Sequence, residues 1–415
     1  MKNITGLRCV SCGKVYEPEE LDYTCPECGT RRGTLEVLYD YGAAGRELEE
    51  NLEKTSFQDI KRYFPLLPVK DLELLPPLKV GGTPLYGFHE LTEKVNRIWI
   101  KDDSGNPTAS YKDRATVLAI AAARQKGIET MTCASTGNAA SSLAGLAAAS
   151  GMETVIFVPR AAPEAKIAQL LIYGANVFAV DGSYDEAYDL CLQAADKHEW
   201  YNRSAAIHPY LVEGKKTGAL EMADQLDWKV PDSVFVSVGV GSIISGLCKG
   251  FKELTRIGLI EEPPEVVGVQ AEGADTIASA FREFDGGQVP IKEQEASTIA
   301  DSISVGKPRD IVKAVKYVGE NGGRYLRVSD SEISSGLIEL ARKRGIFAEP
   351  AAATAYAGFK KSLKRGDLGQ NDDIGIFITG SGLKDVNAAR KAVEGPMEVK
   401  PDLSDVERAL EESKL

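Results

Sequence analysis

The sequence predicts an α/β protein of two open parallel-sheet lobes flanked by helices, fronted by a small cysteine ribbon. Three observations predict it. Short β-rich runs alternate with longer Ala/Leu-rich helical runs, three glycine-rich turns close strands where helices begin, and four of the seven cysteines form two CxxC pairs near the front. At 415 residues the chain exceeds one ordinary core, so two large lobes and an appendage are expected.

The ribbon comes first, over 1–38. Cys9 and Cys12 (CVSC) are separated by twelve residues from Cys25 and Cys28 (CPEC). Two such knuckles place four thiolates around one tetrahedral zinc, and Gly13 and Gly29 permit the turns that point them inward. Two disulfides are the alternative, disfavoured in a chain without an export signal. Four closed ligands leave no position for water, so the zinc is structural. The ribbon has many acids and few bases, which suits a domain cap better than a nucleic-acid reader. Cys133, Cys191 and Cys248 lie in apolar contexts and read as core.

Residues 39–104 form the N-terminal part of the large lobe: a polar helix, an apolar-aromatic docking segment, then the Pro-rich entry LLPPLKVGGTPLYG. A smaller α/β lobe follows over 105–210, where TMTCAS, TVIFVP and NVFAVDG read as strands between helical runs. The large lobe resumes over 211–395 with SVFVSVGVG, EVVGVQAEG and DDIGIFITGSG. The tail 396–415 reads as an acidic helix without chemistry.

The net charge of −12 and pI near 5.1 supply no excess of bases to displace counterions, so no nucleic-acid partner is expected. No basic-apolar leader opens the chain and no run of about 18 apolar residues occurs, so membrane insertion is not expected and a cytoplasmic location is.

Open α/β sheets bind ligands beyond the carboxyl ends of their strands. Three turns stand there: STGN (135–138), SVGVGS (237–242) and TGSG (379–382). In the second, Gly239, Val240, Gly241 and Ser242 expose N–H groups beside a helix N-terminus, a cradle for phosphate. Its spacing is neither a dinucleotide fingerprint nor a P-loop. A lysine in DSGNPTASYKDR (103–114), Lys112, then acquires a role, because pyridoxal phosphate joins a phosphate handle to an aldehyde that condenses with an amine.

GNPTASYKDRA resembles the lysine segment of fold type II pyridoxal-phosphate enzymes, most closely the threonine synthase family. GGTPL (81–85), STGNAASSLA (135–144), NRSAAIHPYLVEGKKT (202–217), GIFAEPAAATAYAG (346–359) and FITGSGLKD (377–385) are similar to that family in order and spacing. The resemblance implies that Lys112 carries pyridoxal 5'-phosphate with Tyr111 beside the ring. It implies that Asn138 bonds the 3′-oxygen, that Gly239–Ser242 cup the phosphate, and that Thr379 faces the pyridine nitrogen. A hydroxyl there leaves the ring a mild electron sink, which favours elimination and replacement over transamination.

The implied reaction converts O-phosphohomoserine and water to threonine and phosphate, by β,γ-elimination and replacement. Ser135, Thr136 and Asn202 are implied near the substrate carboxylate, and Arg160, Lys166 and Lys216 near the leaving phosphate. A homodimer is expected by resemblance and by the prevalence of two-fold oligomers. Four positions depart from the family pattern: Ala109 and Ala115 replace glycines, Ser242 an asparagine, and Ser381 a histidine. Other readings stay open at this point. One is a β-replacing paralogue such as a cysteate synthase on O-phosphoserine, another a serine or threonine dehydratase, and a third a zinc-ribbon binding protein with an inactive body.

Overall fold

A computed structural model describes residues 3–56, 58–89, 94–162, 164–204 and 207–413. Ala205 and Ala206 of the NRSAAIHPYLVEGKKT segment lie outside the described residues.

The ribbon is a three-stranded antiparallel sheet of order β2-β1-β3, with β1 Ile4–Cys9, β2 Val15–Tyr16 and β3 Leu35–Tyr39. Its two knuckles use the same turn. Gly13 N–H donates to the Cys9 carbonyl and Gly29 N–H to that of Cys25, with φ of +78° and +68°, a region glycine enters without steric cost. The four sulfurs lie within 4.8 Å of one another, and all seven cysteines are unpaired, so the disulfide alternative falls.

The main sheet has the order β12-β11-β10-β13-β5-β4. Its strands are β4 Leu85–Phe88, β5 Arg97–Asp102, β10 Ser233–Ser237, β11 Glu265–Ala271, β12 Arg324–Val328 and β13 Asp373–Ile378. All neighbours are parallel except β4 with β5. β10, β11 and β13 are buried almost throughout, the pattern of a sheet covered on both faces by helices. The second sheet, β8-β7-β6-β9, is all parallel, with β6 Thr130–Ala134, β7 Glu153–Pro159, β8 Asn176–Val180 and β9 Tyr201–Asn202. The sequence reading missed β12, whose RYLRV alternates bases with apolar residues, and β9, which has two residues.

One helix joins these parts. Tyr210–Gln225 is buried from Tyr210 through Ala223 and packs between the helices Lys112–Gln125 and Ser242–Ile257. Glycines make the approach possible. A Cβ on Gly214 would lie 1.9 Å from the Arg114 carbonyl oxygen, and one on Gly250 would lie 2.7 Å from that of Lys216.

The ribbon docks on the large lobe through two buried lysines and one half-buried one, Lys316. Lys249, Lys313 and Lys316 donate to the carbonyls of Val37, Leu35 and Val10, while Thr34 donates to the Asp310 carboxylate at 2.9 Å.

Candidate active site

The DSGNPTASYKDR segment is not a solvated charged run. Asp113 is wholly buried and accepts from the Thr108 N–H and hydroxyl, which folds the preceding loop over the helix start. Arg114, also wholly buried, donates to Asp103 at 2.6 and 3.0 Å and to Glu221 at 3.0 Å through each terminal nitrogen. Glu221 further accepts from Lys101 and from the N–H groups of Gly82 and Thr83. Two cations against two carboxylates, with polar atoms matched on all sides, make this a tolerable buried cluster. It bolts the first turn of the Lys112–Gln125 helix to the Tyr210–Gln225 helix.

Lys112 is thereby aimed into a cavity of about 580 Å³. The wall brings together Lys112, Ser135, Thr136, Asn138, Gly239, Val240, Gly241, Ser242 and Thr379, contributed by both sheets. Burial lowers the Lys112 pKa to about 8, with Arg203 adding to the effect and Glu349 opposing it. Asn138 opens the helix Asn138–Ala149 and donates to Glu349 at 2.9 Å; Ser302 holds the other oxygen of that carboxylate at 3.0 Å. Burial pushes the Glu349 carboxyl above its ordinary pKa. Thr379 follows β13 with its hydroxyl 3.4 Å from that of Ser237.

The turn after β10 has the character of an anion seat. Among the described residues, none of the N–H groups of Gly239 to Ser242 donates to a backbone carbonyl outside regular structure. Gly241 has φ +95°, and a Cβ on Gly239 would lie 3.0 Å from the Ile303 Cα. The Val240 carbonyl is pinned at 3.1 Å by the N–H of Asp310, the residue that also holds Thr34 of the ribbon. Unspent donors, a helix start and a lysine across one cavity fit a phosphate-bearing aldehyde.

Five expected residues lie elsewhere. Tyr111 turns away from the cavity into the core, where its hydroxyl donates to the Lys215 carbonyl at 2.6 Å and its ring meets Phe377 edge-on. Lys216 is buried between Glu213 and Glu253 at 2.6 and 2.7 Å, against Tyr39, and faces the ribbon. Arg160 is largely exposed and pairs with Asp181. Asn202 is buried and accepts from the Ser204 N–H, stabilising its own turn. Lys166 stands at the rim, paired with Asp301 of the cavity wall.

In their place the wall holds Arg203, Lys307 and Arg309, none of which lies in a turn motif. Arg203 is 2% exposed and donates from two nitrogens to the Thr116 hydroxyl. Arg309 stacks 3.6 Å above the Tyr188 ring. Two departures also resolve. Ala109 adopts φ +62°, the left-handed conformation for which glycine is better suited. Ser381 caps the following turn by accepting from the Leu383 N–H and is not part of the cavity wall.

The family model described as "Pyridoxal-phosphate dependent enzyme" matches residues 77–380. A threonine synthase of Methanocaldococcus jannaschii is 41% identical over 98% of this chain and 99% of that protein. That of Methanosarcina acetivorans is 34% identical over 97% and 98%. The chain belongs to the pyridoxal-phosphate dependent enzymes, in the threonine synthase family. The fold of a fungal L-serine ammonia-lyase from Rhizomucor miehei is similar, with a TM-score of 0.64 at 19% identity, over 75% of this chain and 96% of that one. The inactive-scaffold reading is not favoured.

Proposed function

We propose that this enzyme converts O-phosphohomoserine and water to threonine and phosphate, using pyridoxal 5'-phosphate. The observation that carries the reading is one cavity lined by both Lys112 and the Gly239–Ser242 turn, in a chain that matches threonine synthases over nearly its full length.

Bound pyridoxal phosphate supplies an electron sink that weakens the C–H bonds near the substrate nitrogen. Lys112 holds the cofactor and then carries protons at Cα and Cβ, a task suited to an amine with a pKa near 8. Asn138, tied to Glu349, would hold the cofactor's 3′-oxygen, and Thr379 would offer the ring nitrogen a neutral hydroxyl. Ser135 and Thr136, ahead of the Asn138–Ala149 helix, receive the substrate carboxylate. Arg203, Lys307 and Arg309 line the same cavity and receive the departing phosphate by charge-assisted contacts, in place of Arg160 and Lys216. The zinc assignment rests on four cysteine sulfurs gathered within 4.8 Å of one another.

We place the enzyme in the cytoplasm; among the described residues no helix is long and apolar enough to cross a membrane. We also propose a homodimer, and the exposed Leu403 and Leu410 on the helix Leu403–Ser413 offer apolar surface for it. Incubation with O-phosphohomoserine should release phosphate and threonine in equal amounts. Consumption of O-phosphoserine with sulfite instead would move the enzyme to the β-replacing class.

A further inference from the structure

Among the described residues no carboxylate lies within ion-pair distance of Lys215, which stands behind the Gly239–Ser242 turn. It lies on the buried helix Tyr210–Gln225, is 2% exposed, and donates to the Ser242 hydroxyl at 2.6 Å. The other buried lysines have stronger partners. Lys216, one residue on, sits between two carboxylates, and Lys101 and Lys249 each pair with a glutamate. Asp310, whose charge Lys215 feels, is engaged with Thr34 and lies 3.8 Å from Lys313. Burial, then Lys112 and Arg203, hold the Lys215 pKa well below that of a free lysine. An amine kept dry among cations, with a hydroxyl as its hydrogen-bond partner, is held toward its neutral form until an anion arrives to favour its charge.

We infer that Lys215 is a charged anchor for the cofactor's phosphate, which supplies the missing counter-ion on the far side of the Ser242 hydroxyl. The inference rests on the reading that Gly239–Ser242 seat that phosphate. It also explains how this cup functions with serine in its last position, since the lysine adds a donor and a positive charge where a serine adds one hydroxyl.

The test compares pyridoxal phosphate with pyridoxal, which lacks the phosphate, by equilibrium dialysis on full-length protein stripped of cofactor. In Lys215→Met the affinity for pyridoxal phosphate should fall about 10- to 100-fold, the scale of a charge-assisted contact, while that for pyridoxal changes by less than about threefold. The stripped variant should melt no lower than the stripped parent, because no ion pair has been removed. Equal losses for both ligands, or an unchanged preference for the phosphate form, overturn the inference. Gly239→Val narrows the turn against Ile303 and separates the two readings. If it abolishes the preference while Lys215→Met does not, the cup stands and the anchor falls. If neither variant alters the preference, the phosphate sits elsewhere and both fall.

Discussion

The Lys112 amine should react with the cofactor far below the pH at which an ordinary lysine does. Its pKa of about 8, against the ordinary 10.5, is set first by burial, with Arg203 lowering it further and Glu349 raising it. At pH 7.5 about one amine in four is then uncharged, where a free lysine has about one in a thousand. The assay is the rate at which yellow colour develops when stripped enzyme meets pyridoxal phosphate, divided by the rate for N-acetyl-lysine at the same pH. That division removes the cofactor's own titration. The part of the ratio that tracks amine charge should hold steady well below pH 8 and fall about 160-fold by pH 10.5. Glu349→Gln removes the carboxylate that favours the charged amine, so the break should move to lower pH; Arg203→Met should move it upward. A ratio that stays flat through pH 10.5 would show an amine titrating like a solvated lysine and would refute the reasoning.

Other perturbations test the supports. Glu221→Gln leaves Lys101 and Arg114 buried with one carboxylate fewer, so stability measured by urea should drop by about 3–5 kcal/mol. Glu221 is held far below the usual carboxylate pKa by its two cations, so this gap is full above about pH 4, narrows progressively as pH falls below that, and is gone once acid passes the lowered pKa. Ala109→Gly relieves a left-handed alanine and should gain about 1 kcal/mol in the same assay, with no gain if φ +62° is unstrained. Chelation of the ribbon metal should loosen cofactor retention on dialysis, reversibly with zinc, because Thr34 and Val240 are held by the same Asp310. Retention unchanged after proven metal loss would sever that link.

Continuous apolar runs such as VFV and IGIFI made the buried parallel strands legible, and CxxC spacing and glycine turns marked the ribbon and the cup. Partnership across long separations was not legible. Nothing local in YKDR says that Arg114 meets Glu221, 107 positions away. Lys215 and Lys216 are adjacent letters, yet about 100° of helix rotation sends one to Ser242 of the glycine turn and the other to carboxylates beside the ribbon, away from the cavity. Tyr111 was misplaced similarly, since its neighbour Lys112 takes the cavity and leaves it the core side. Glu349 and Arg203 lie in segments read for resemblance alone, and their chemistry emerged only when both sheets met.

The Tyr210–Gln225 helix acts as a ruler. Lys215 touches the anion seat and Glu221 grips the root of the reactive amine, six residues or about 9 Å apart along a single rod. The spacing between the glycine turn and the reactive amine is thus set by one buried helix packed between its two neighbours.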